Sequence, residues 1–361
     1  MKVIHFNDFE HYSGAETAVK MIRASHEKLG IKTFLFTKKE IGSSFTPEII
    51  KRARCSSILN KIKPDIIHMH NTVDIGLIPA EVAFEKKIPV VWTLHDYKGI
   101  CPNTLLLRPD NTICEKKDCA TCDISKMVIY FNYEKFHSIL KKSTCCVASD
   151  YVKNRYKEII DAKRIYWDAD PDLLKLKIKN SFDSKNILFG GRRDNEKGVL
   201  YAIIALKRLI KKYPSAKLIF AGETRGQNIN QLSRIYGIEK NVIDLGYLRR
   251  EEYLKLLQEV NCVLCPSIWE EPFNLSLLEA MAIGKPVIVT NVGGQPEVLG
   301  RAGILIEPKS SIDIANAVDL FFSDKKIHRK FSKKARERAK KFKNCGKEYK
   351  KVYEEAIKSK E

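Results

Sequence analysis

At 361 residues the chain is longer than one ordinary compact core requires and long enough for two, each able to bury its own apolar centre. A hydrophobic fraction of 44% with 30% charged residues excludes a disordered or low-complexity polymer, and no apolar run reaches the roughly 18 residues of a membrane span. Met1 leads almost directly into Val3-Ile4-His5-Phe6 rather than a basic and then apolar leader, which sets the expectation of a cytoplasmic location. The formal charge of +20 owes much to the stretch from Lys325 to Lys351, and three partners for that charge compete. Water on a solvated helical face is the plainest, an anionic membrane surface would attract the same segment, and nucleic acid comes last because no helix-turn-helix, zinc finger or aromatic-basic RNA motif accompanies it.

Short β-branched apolar runs alternate with longer amphipathic stretches from end to end, the pattern of parallel sheets covered by helices. Strands are expected at Lys2 to Asn7, Thr33 to Thr37, Asp65 to His70, Val90 to His95 and Thr144 to Ala148, with helices at Ala15 to Leu29 and around Ile78 to Lys86. The series restarts at Asn186 to Phe189 and continues with Lys217 to Ala221, Val242 to Leu245, Cys262 to Cys265, Val287 to Thr290 and Gly303 to Ile306. The polar stretch Trp167 to Lys179, interrupted by Pro171, separates the two. The expected organisation is therefore α/β throughout: a first domain over 1–166, a linker over 167–180, a second domain over 181–340, and a C-terminal helix over 341–361 that returns to the first domain. Ligands of such sheets collect beyond the carboxyl ends of the strands. The unusual residues stand there, at Asp8 to Gly14, His95-Asp96, Gly190 to Gly198 and Trp269 to Asn274.

The most informative segment runs from Pro266 through Trp269-Glu270-Glu271-Pro272-Phe273-Asn274-Leu275 to Glu279 and Pro286. A loop ending near Pro272 enters a helix at about Leu275, and the unpaired backbone N–H groups of that helix start suit an anion such as a diphosphate. Glu271 and Glu279 are eight residues apart, on the order of 12 Å at about 1.5 Å per helical residue, enough for an elongated ligand to lie between two carboxylates. Upstream, Gly190-Gly191-Arg192-Arg193-Asp194-Asn195-Glu196-Lys197-Gly198 joins a strand to a helix and brings cations to a glycine-permitted turn. There Arg192 offers a forked phosphate contact and Lys197 a point charge, in place of a divalent metal. Ser13-Gly14-Ala15-Glu16 opens the first helix with a glycine, Gly14, where a phosphate could approach backbone N–H groups. A surface turn rich in charge and an exposed acid followed by a helical one are the plain alternatives for the charged loops.

Taken together these residues resemble the large retaining glycosyltransferase family with the GT-B fold, glycosyltransferase family 4, also described as glycosyl transferases group 1, and the resemblance covers nearly the whole chain. It rests on the paired glutamates Glu271 and Glu279 and on Gly191-Arg192 followed by Glu196-Lys197-Gly198. The resemblance implies two Rossmann-like domains facing each other across a cleft, the first for the acceptor and the second for the nucleotide sugar. It implies that Glu271 approaches the donor sugar, that Glu279 binds ribose, that Phe273, Asn274 and Leu275 line the donor, that Gly246-Tyr247-Leu248 lies near the base, and that His95 faces the sugar. It further implies that Arg192 and Lys197 stabilise a leaving diphosphate, which helps deprotonate the acceptor on one face of the sugar without a metal or another cofactor. The implied partners are a nucleotide-sugar donor and a saccharide or glycolipid acceptor of surface polysaccharide or lipopolysaccharide synthesis, worked on at the inner face of the cell membrane.

Three departures stand out. Ser13 replaces the first glycine of the N-terminal loop; Trp167-Asp168-Ala169-Asp170 replaces the usual linker turn; and Asn274 stands where the family has glycine, at a place where asparagine's tolerance of left-handed backbone would preserve the turn. A nucleotide-sugar epimerase of the same fold and a catalytically silent binding protein are the rival readings. Ten cysteines raise a separate question. Cys101, Cys114, Cys119 and Cys122 fall in one loop region after His95, where four thiolates could hold a structural zinc or remain thiols. Cys262 and Cys265, three apart on a strand, point to opposite faces and are expected in the core.

Overall fold

The computed structural model describes residues 1–10, 14–115, 119, 122, 132–222 and 227–359. They divide into two units. One draws on the described residues within Met1–Leu105, Lys117–Asp168 and Lys343–Glu361, and the other within Leu106–Lys116 and Ala169–Phe342. Ser13, at the N-terminal loop, lies outside the described residues.

The first unit runs β1 (Lys2–Phe6), α1 (Gly14–Glu27), β2 (Lys32–Phe36), α2 (Lys38–Ile41), α3 (Glu48–Ile62), β3 (Ile66–Met69), α4 (Ile78–Glu85), β4 (Val90–Leu94), α5 (Tyr133–Lys142), β5 (Thr144–Val147), α6 (Asp150–Tyr156) and β6 (Lys163–Arg164). All strand pairs are parallel, in the order β2-β1-β3-β4-β5-β6. The second unit runs α7 (Pro171–Lys175), β7 (Asn186–Phe189), a 3-10 turn (Asn195–Lys197), α8 (Val199–Leu209), β8 (Lys217–Phe220), α9 (Ile229–Tyr236), a second 3-10 turn (Glu239–Asn241), β9 (Val242–Asp244), α10 (Arg250–Glu259), β10 (Cys262–Cys265), α11 (Leu275–Ile283), β11 (Val287–Thr290), α12 (Gln295–Leu299), β12 (Ile304–Ile306), α13 (Ser311–Ser323) and α14 (Lys325–Ala339). Its parallel sheet has the order β12-β11-β10-β7-β8-β9. α15 (Cys345–Lys358) closes the chain and packs on α1 and β4, in the first unit.

The central strands are buried on both faces, as parallel strands under helical layers must be, which is why they read as continuous apolar runs. In the second unit Ile187, Phe189, Leu218, Phe220, Leu264 and Ile288 meet Ile203 and Leu206 of α8 and Val318 and Phe321 of α13. Cys262 and Cys265 are both fully buried, and Cys262 belongs to this cluster.

In the first unit one face of the sheet carries an unusual polar row. His5 stands opposite His68 in the register of β1 and β3, and the two-residue strand period puts His70, Thr93 and His95 on the same side. α1 and α15 cover that side: His68 hydrogen-bonds Tyr353 through Nδ1 and Thr93 through Nε2, both at 2.7 Å, and Thr93 bonds the Tyr349 hydroxyl at 2.8 Å. Each buried polar atom so satisfied avoids a desolvation penalty of about 1–3 kcal/mol.

Burial holds these imidazoles neutral. It pushes His26 and His95 down to about 4, and His5, His68 and His70 well below the usual histidine range, with neighbouring histidines adding to the fall in the last three. The unfolded chain, in which histidine titrates near 6.5, therefore binds protons that the folded unit refuses. Stability that is complete above pH 6.5 is lost as the pH falls toward 4, at about 1.4 kcal/mol per histidine per pH unit. The urea midpoint of unfolding should drop steeply from pH 7 through 6 to 5; a midpoint flat over that range would contradict the neutral row.

Candidate functional site in the second unit

In the second sheet β7 lies between β8 and β10, so the chain leaves β7 in one direction and later returns on its other side. The crevice at the carboxyl end of such a reversal is where open α/β sheets hold ligands. The two loops that rim it are Gly190–Gly198, after β7, and Pro266–Asn274, after β10.

These loops are fastened to each other by their backbones. Gly190 donates its N–H to the Leu264 carbonyl at 2.8 Å, and Ile268 donates to the Glu196 carbonyl at 2.8 Å. Gly198 has φ +80°, and a Cβ added there would fall 2.0 Å from the Pro266 carbonyl oxygen, so only glycine permits this approach. The closure sets Lys197 against Glu271. Lys197 Nζ donates to Glu271 Oε1 at 2.5 Å and lies 5.3 Å from the centre of the Trp269 ring, while Ser267 donates its hydroxyl to the same carboxylate oxygen at 2.6 Å. Both members of the pair are largely buried, with side chains 14% and 5% exposed. A second glycine holds the carboxylate's own backbone: Gly293, φ +65°, leaves room where a Cβ would sit 2.4 Å from the Glu271 nitrogen, and Gly294 donates to the Glu271 carbonyl at 2.7 Å.

Asn274 is not left-handed. Its φ of −96° and ψ of 100° are extended, and it caps α11. Its side-chain oxygen accepts the Leu277 N–H at 3.0 Å, while its amide donates to Gln295 at 2.8 Å. The expectation of a preserved left-handed turn is therefore corrected: asparagine is accepted here because it is a good N-cap. The cap leaves the N–H groups of Leu275 and Ser276 without intrahelical partners, directed outward as at any helix start. Phe273 is buried, its ring 5.9 Å from that of Phe342 in an edge-on contact.

Arg192 and Arg193 have different fates. Arg193 is buried and structural, pairing with Asp244 and donating to the Gly222 carbonyl at 2.7 Å. Arg192, about a third exposed, is held by Asp194 at 3.0 Å and Glu196 at 3.6 Å, within its own loop. Glu196 is raised above the usual carboxyl range, first by burial and then by Asp194, against Lys197 and Arg192. Glu279 takes the Arg250 guanidinium at 2.6 Å, and Arg250 in turn reaches Asp170 at 3.2 Å. Burial raises Glu279 against the pull of Arg250. Asp170, from the segment that departs from the family's linker turn, thus joins the surroundings of Glu279, and it also caps α7. Tyr247 is exposed and Leu248 half-buried, behind Gly246 at φ +64°. Lys285, by contrast, is consumed by structure: its ammonium donates to Ser181, Gln258 and Val260, and burial lowers it to about 8.

His95 and Gly14 belong to the first unit. His95 follows β4, buried beside Trp167 with ring centroids 5.5 Å apart, and Gly14 begins α1 with open space around it. Cys101, Cys119 and Cys122 fall in the first unit and Cys114 in the second. Among the described residues, the three-member group of potential metal ligands with donor atoms within 4.8 Å of one another is His5, His68 and His70, and the cysteines form no such group. Residues the sequence reading missed are Gly293, Asn274 as a cap, Ser267, Arg250 and Asp170. The Gly293-Gly294 pair, shortly after β11, was a legible signal of a close approach, whereas nothing in the sequence tied Arg250 to Glu279.

Residues 174–338 match the family model "Glycosyl transferases group 1", and residues 15–104 match "Glycosyl transferase 4-like". An uncharacterized glycosyltransferase of Methanocaldococcus jannaschii is 29% identical over 286 residues, covering 74% of this chain and 68% of that protein. The fold is that of Anabaena HepE in complex with UDP and glucose (TM-score 0.75, 19% identity, 98% of this chain and 100% of that one). It is also that of WaaG, a glycosyltransferase involved in lipopolysaccharide biosynthesis (TM-score 0.71, 16% identity, 98% and 99%). At these identities the two structures speak to the fold alone. The architecture is thus GT-B, with a group 1 glycosyltransferase match in the second unit and a glycosyltransferase 4-like match in the first.

The Gly198 contact is directly testable. Gly198→Ala should lower the unfolding free energy by about 1–3 kcal/mol, since the added methyl must displace the Pro266 carbonyl or abandon a positive φ. An unchanged denaturation midpoint would show that the two loops are not in contact there.

Proposed function

We propose that the chain is a retaining, metal-independent hexosyltransferase. It moves a hexose from a nucleotide-diphosphate sugar to a saccharide or glycolipid acceptor in surface polysaccharide or lipopolysaccharide synthesis. The observation that carries this reading is the Lys197–Glu271 pair beside the uncovered start of α11. A lysine ammonium has three donors and Glu271 takes one, leaving two for phosphate oxygens. The N–H groups of Leu275 and Ser276 add dipolar stabilisation from the helix start, and Arg192 a further cation. Together they supply what a divalent metal supplies elsewhere, electrostatic relief of charge developing on a departing diphosphate.

Glu271 is a poor nucleophile in this setting, because its near oxygen already accepts from Lys197 and Ser267. Its other oxygen suits a sugar hydroxyl. The bond from the anomeric carbon to the diphosphate oxygen breaks, the acceptor oxygen bonds to the same face of that carbon, and the acceptor's proton passes to the departing phosphate. Glu279 is suited to ribose hydroxyls, with Arg250 steadying its charge. HepE was crystallised with UDP and glucose, which supports a hexose and a nucleoside diphosphate here. The involvement of WaaG in lipopolysaccharide biosynthesis supports the proposed pathway. No helix among the described residues is long and apolar enough to cross a membrane. The exposed Lys326, Arg329, Lys330, Lys333 and Lys334 of α14 support a peripheral contact with an anionic surface.

A panel of UDP and GDP sugars, assayed for nucleotide release with and without saccharide and glycolipid acceptors, tests the proposal. Acceptor-dependent release that survives excess EDTA is expected; epimerised donor without transfer would move the chain to another enzyme class. In the same assay Lys197→Ala and Glu271→Ala should each reduce transfer by about 10²–10³-fold while the folded state persists. Wild-type turnover in either variant would remove that residue from the site.

A further inference from the structure

The histidine row of the first unit contains a continuous chain of three imidazoles. His5 Nδ1 lies 3.0 Å from His70 Nε2, and His70 Nδ1 lies 3.0 Å from His95 Nε2. Both outer nitrogens of the chain, His5 Nε2 and His95 Nδ1, are buried without a hydrogen-bond partner among the described residues. A neutral imidazole has one donor nitrogen and one acceptor, so the three rings must all point the same way. Either every Nδ1 carries the proton and the chain ends in a donor at His95, or every Nε2 does and the chain ends in a donor at His5.

The two directions are not equal in cost. A buried N–H without a partner is rarer and costlier than a buried acceptor lone pair. His5 sits in the middle of the sheet with no exposure, facing the His26 ring at 5.8 Å and the His68 ring at 5.0 Å, neither of which offers it a bond. His95 stands at the carboxyl end of β4 and is the most exposed member of the chain, 8% against 0% for His5 and 1% for His70. The direction that sends the unpaired N–H to His95 places it at the end of the row nearest the carboxyl edge of the sheet, rather than at the fully enclosed His5.

We propose that His5, His70 and His95 form a one-way hydrogen-bonded relay that fixes His95 as the Nδ1–H tautomer at the carboxyl end of β4. His5 and His70 are positioning residues, and aligned donors along the chain strengthen the terminal one. The groups that face the relay leave it uncharged. Burial dominates at each ring; His26, His68 and Arg23 add repulsion to a proton at His5 and His70, and Glu16 acts on His95 in the opposite sense without restoring its charge. A metal held by His5, His68 and His70 is the less favoured occupant of this space. His68 and His70 already use both ring nitrogens, and no carboxylate is in the group to offset a buried divalent charge.

The effect expected on transfer rests on the proposed transferase reading, but the tautomer does not, and the test separates them. Two-bond proton–nitrogen NMR correlation of histidine-labelled, ligand-free full chain at pH 7 should show His5, His70 and His95 all protonated at Nδ1. His5→Leu removes the distant end, and should release His95 into a mixture of tautomers and lower transfer by about tenfold. His5→Asn, whose amide can donate from the place of Nδ1, should restore both. A wild-type His95 protonated at Nε2, or a His95 signal unmoved in a folded His5→Leu protein, would overturn the relay. So would stoichiometric zinc whose removal rearranges the three spectra. Absence of transfer alongside the expected tautomers would reject the transferase and leave the relay standing.

Discussion

Everything in the second unit's site depends on two loops touching at a point where no side chain can be. The approach of Gly198 to the Pro266 carbonyl is closer than any Cβ allows, and it brings an ammonium and a carboxylate from segments 74 residues apart within 2.5 Å. Two charges so deeply buried would be expensive apart, since each would lose its hydration with nothing in return. Held together, with Ser267 as a third partner and the Trp269 ring beside the cation, each supplies part of the stabilisation that water would otherwise give the other. Gly293 repeats the device from the other side, letting the turn after β11 press against the backbone of Glu271. The pair is therefore positioned by main chain on both sides, and its geometry is set before any ligand arrives.

The strands were readable because a parallel strand buried on both faces is a short apolar run whatever surrounds it. Asn186–Phe189, Cys262–Cys265 and Val287–Thr290 fall where the sequence puts them, and the others differ by one residue at one end or, for β2 and β3, at both. β6 was not readable, because Lys163–Arg164 is two charged residues on a sheet edge, recruited by pairing with β5 and not by any pattern of its own. α7 was hidden by Pro171, which reads as a break yet sits at the first turn, where its missing N–H costs nothing.

The site was partly legible for a different reason. Lys197, Glu271 and the helix start are close in sequence to glycines and prolines that announce tight turns, so their chemistry and their backbone could be read together. Asn274 misled because asparagine serves two conformations, left-handed turn and helix cap, and only the partners of its side chain distinguish them. The histidines of the first unit carried a usable signal, since His68 and His70 two apart on a strand must share a face. What the sequence lacked was the register that sets His5 opposite His68 and the return of α15 that brings Tyr349 and Tyr353 onto the row.

The two units answer the problem of buried polar groups in opposite ways, and the difference has chemical consequences. The second pairs full charges, which suits a ligand that carries negative charge and gains more as a bond to it breaks. In the first, the histidine row suppresses charge: its imidazoles are kept neutral by burial and exchange hydrogen bonds among themselves and with tyrosine and threonine hydroxyls. Neutral groups can be donors or acceptors without attracting an anion, and a sugar is a neutral ligand read by its hydroxyls.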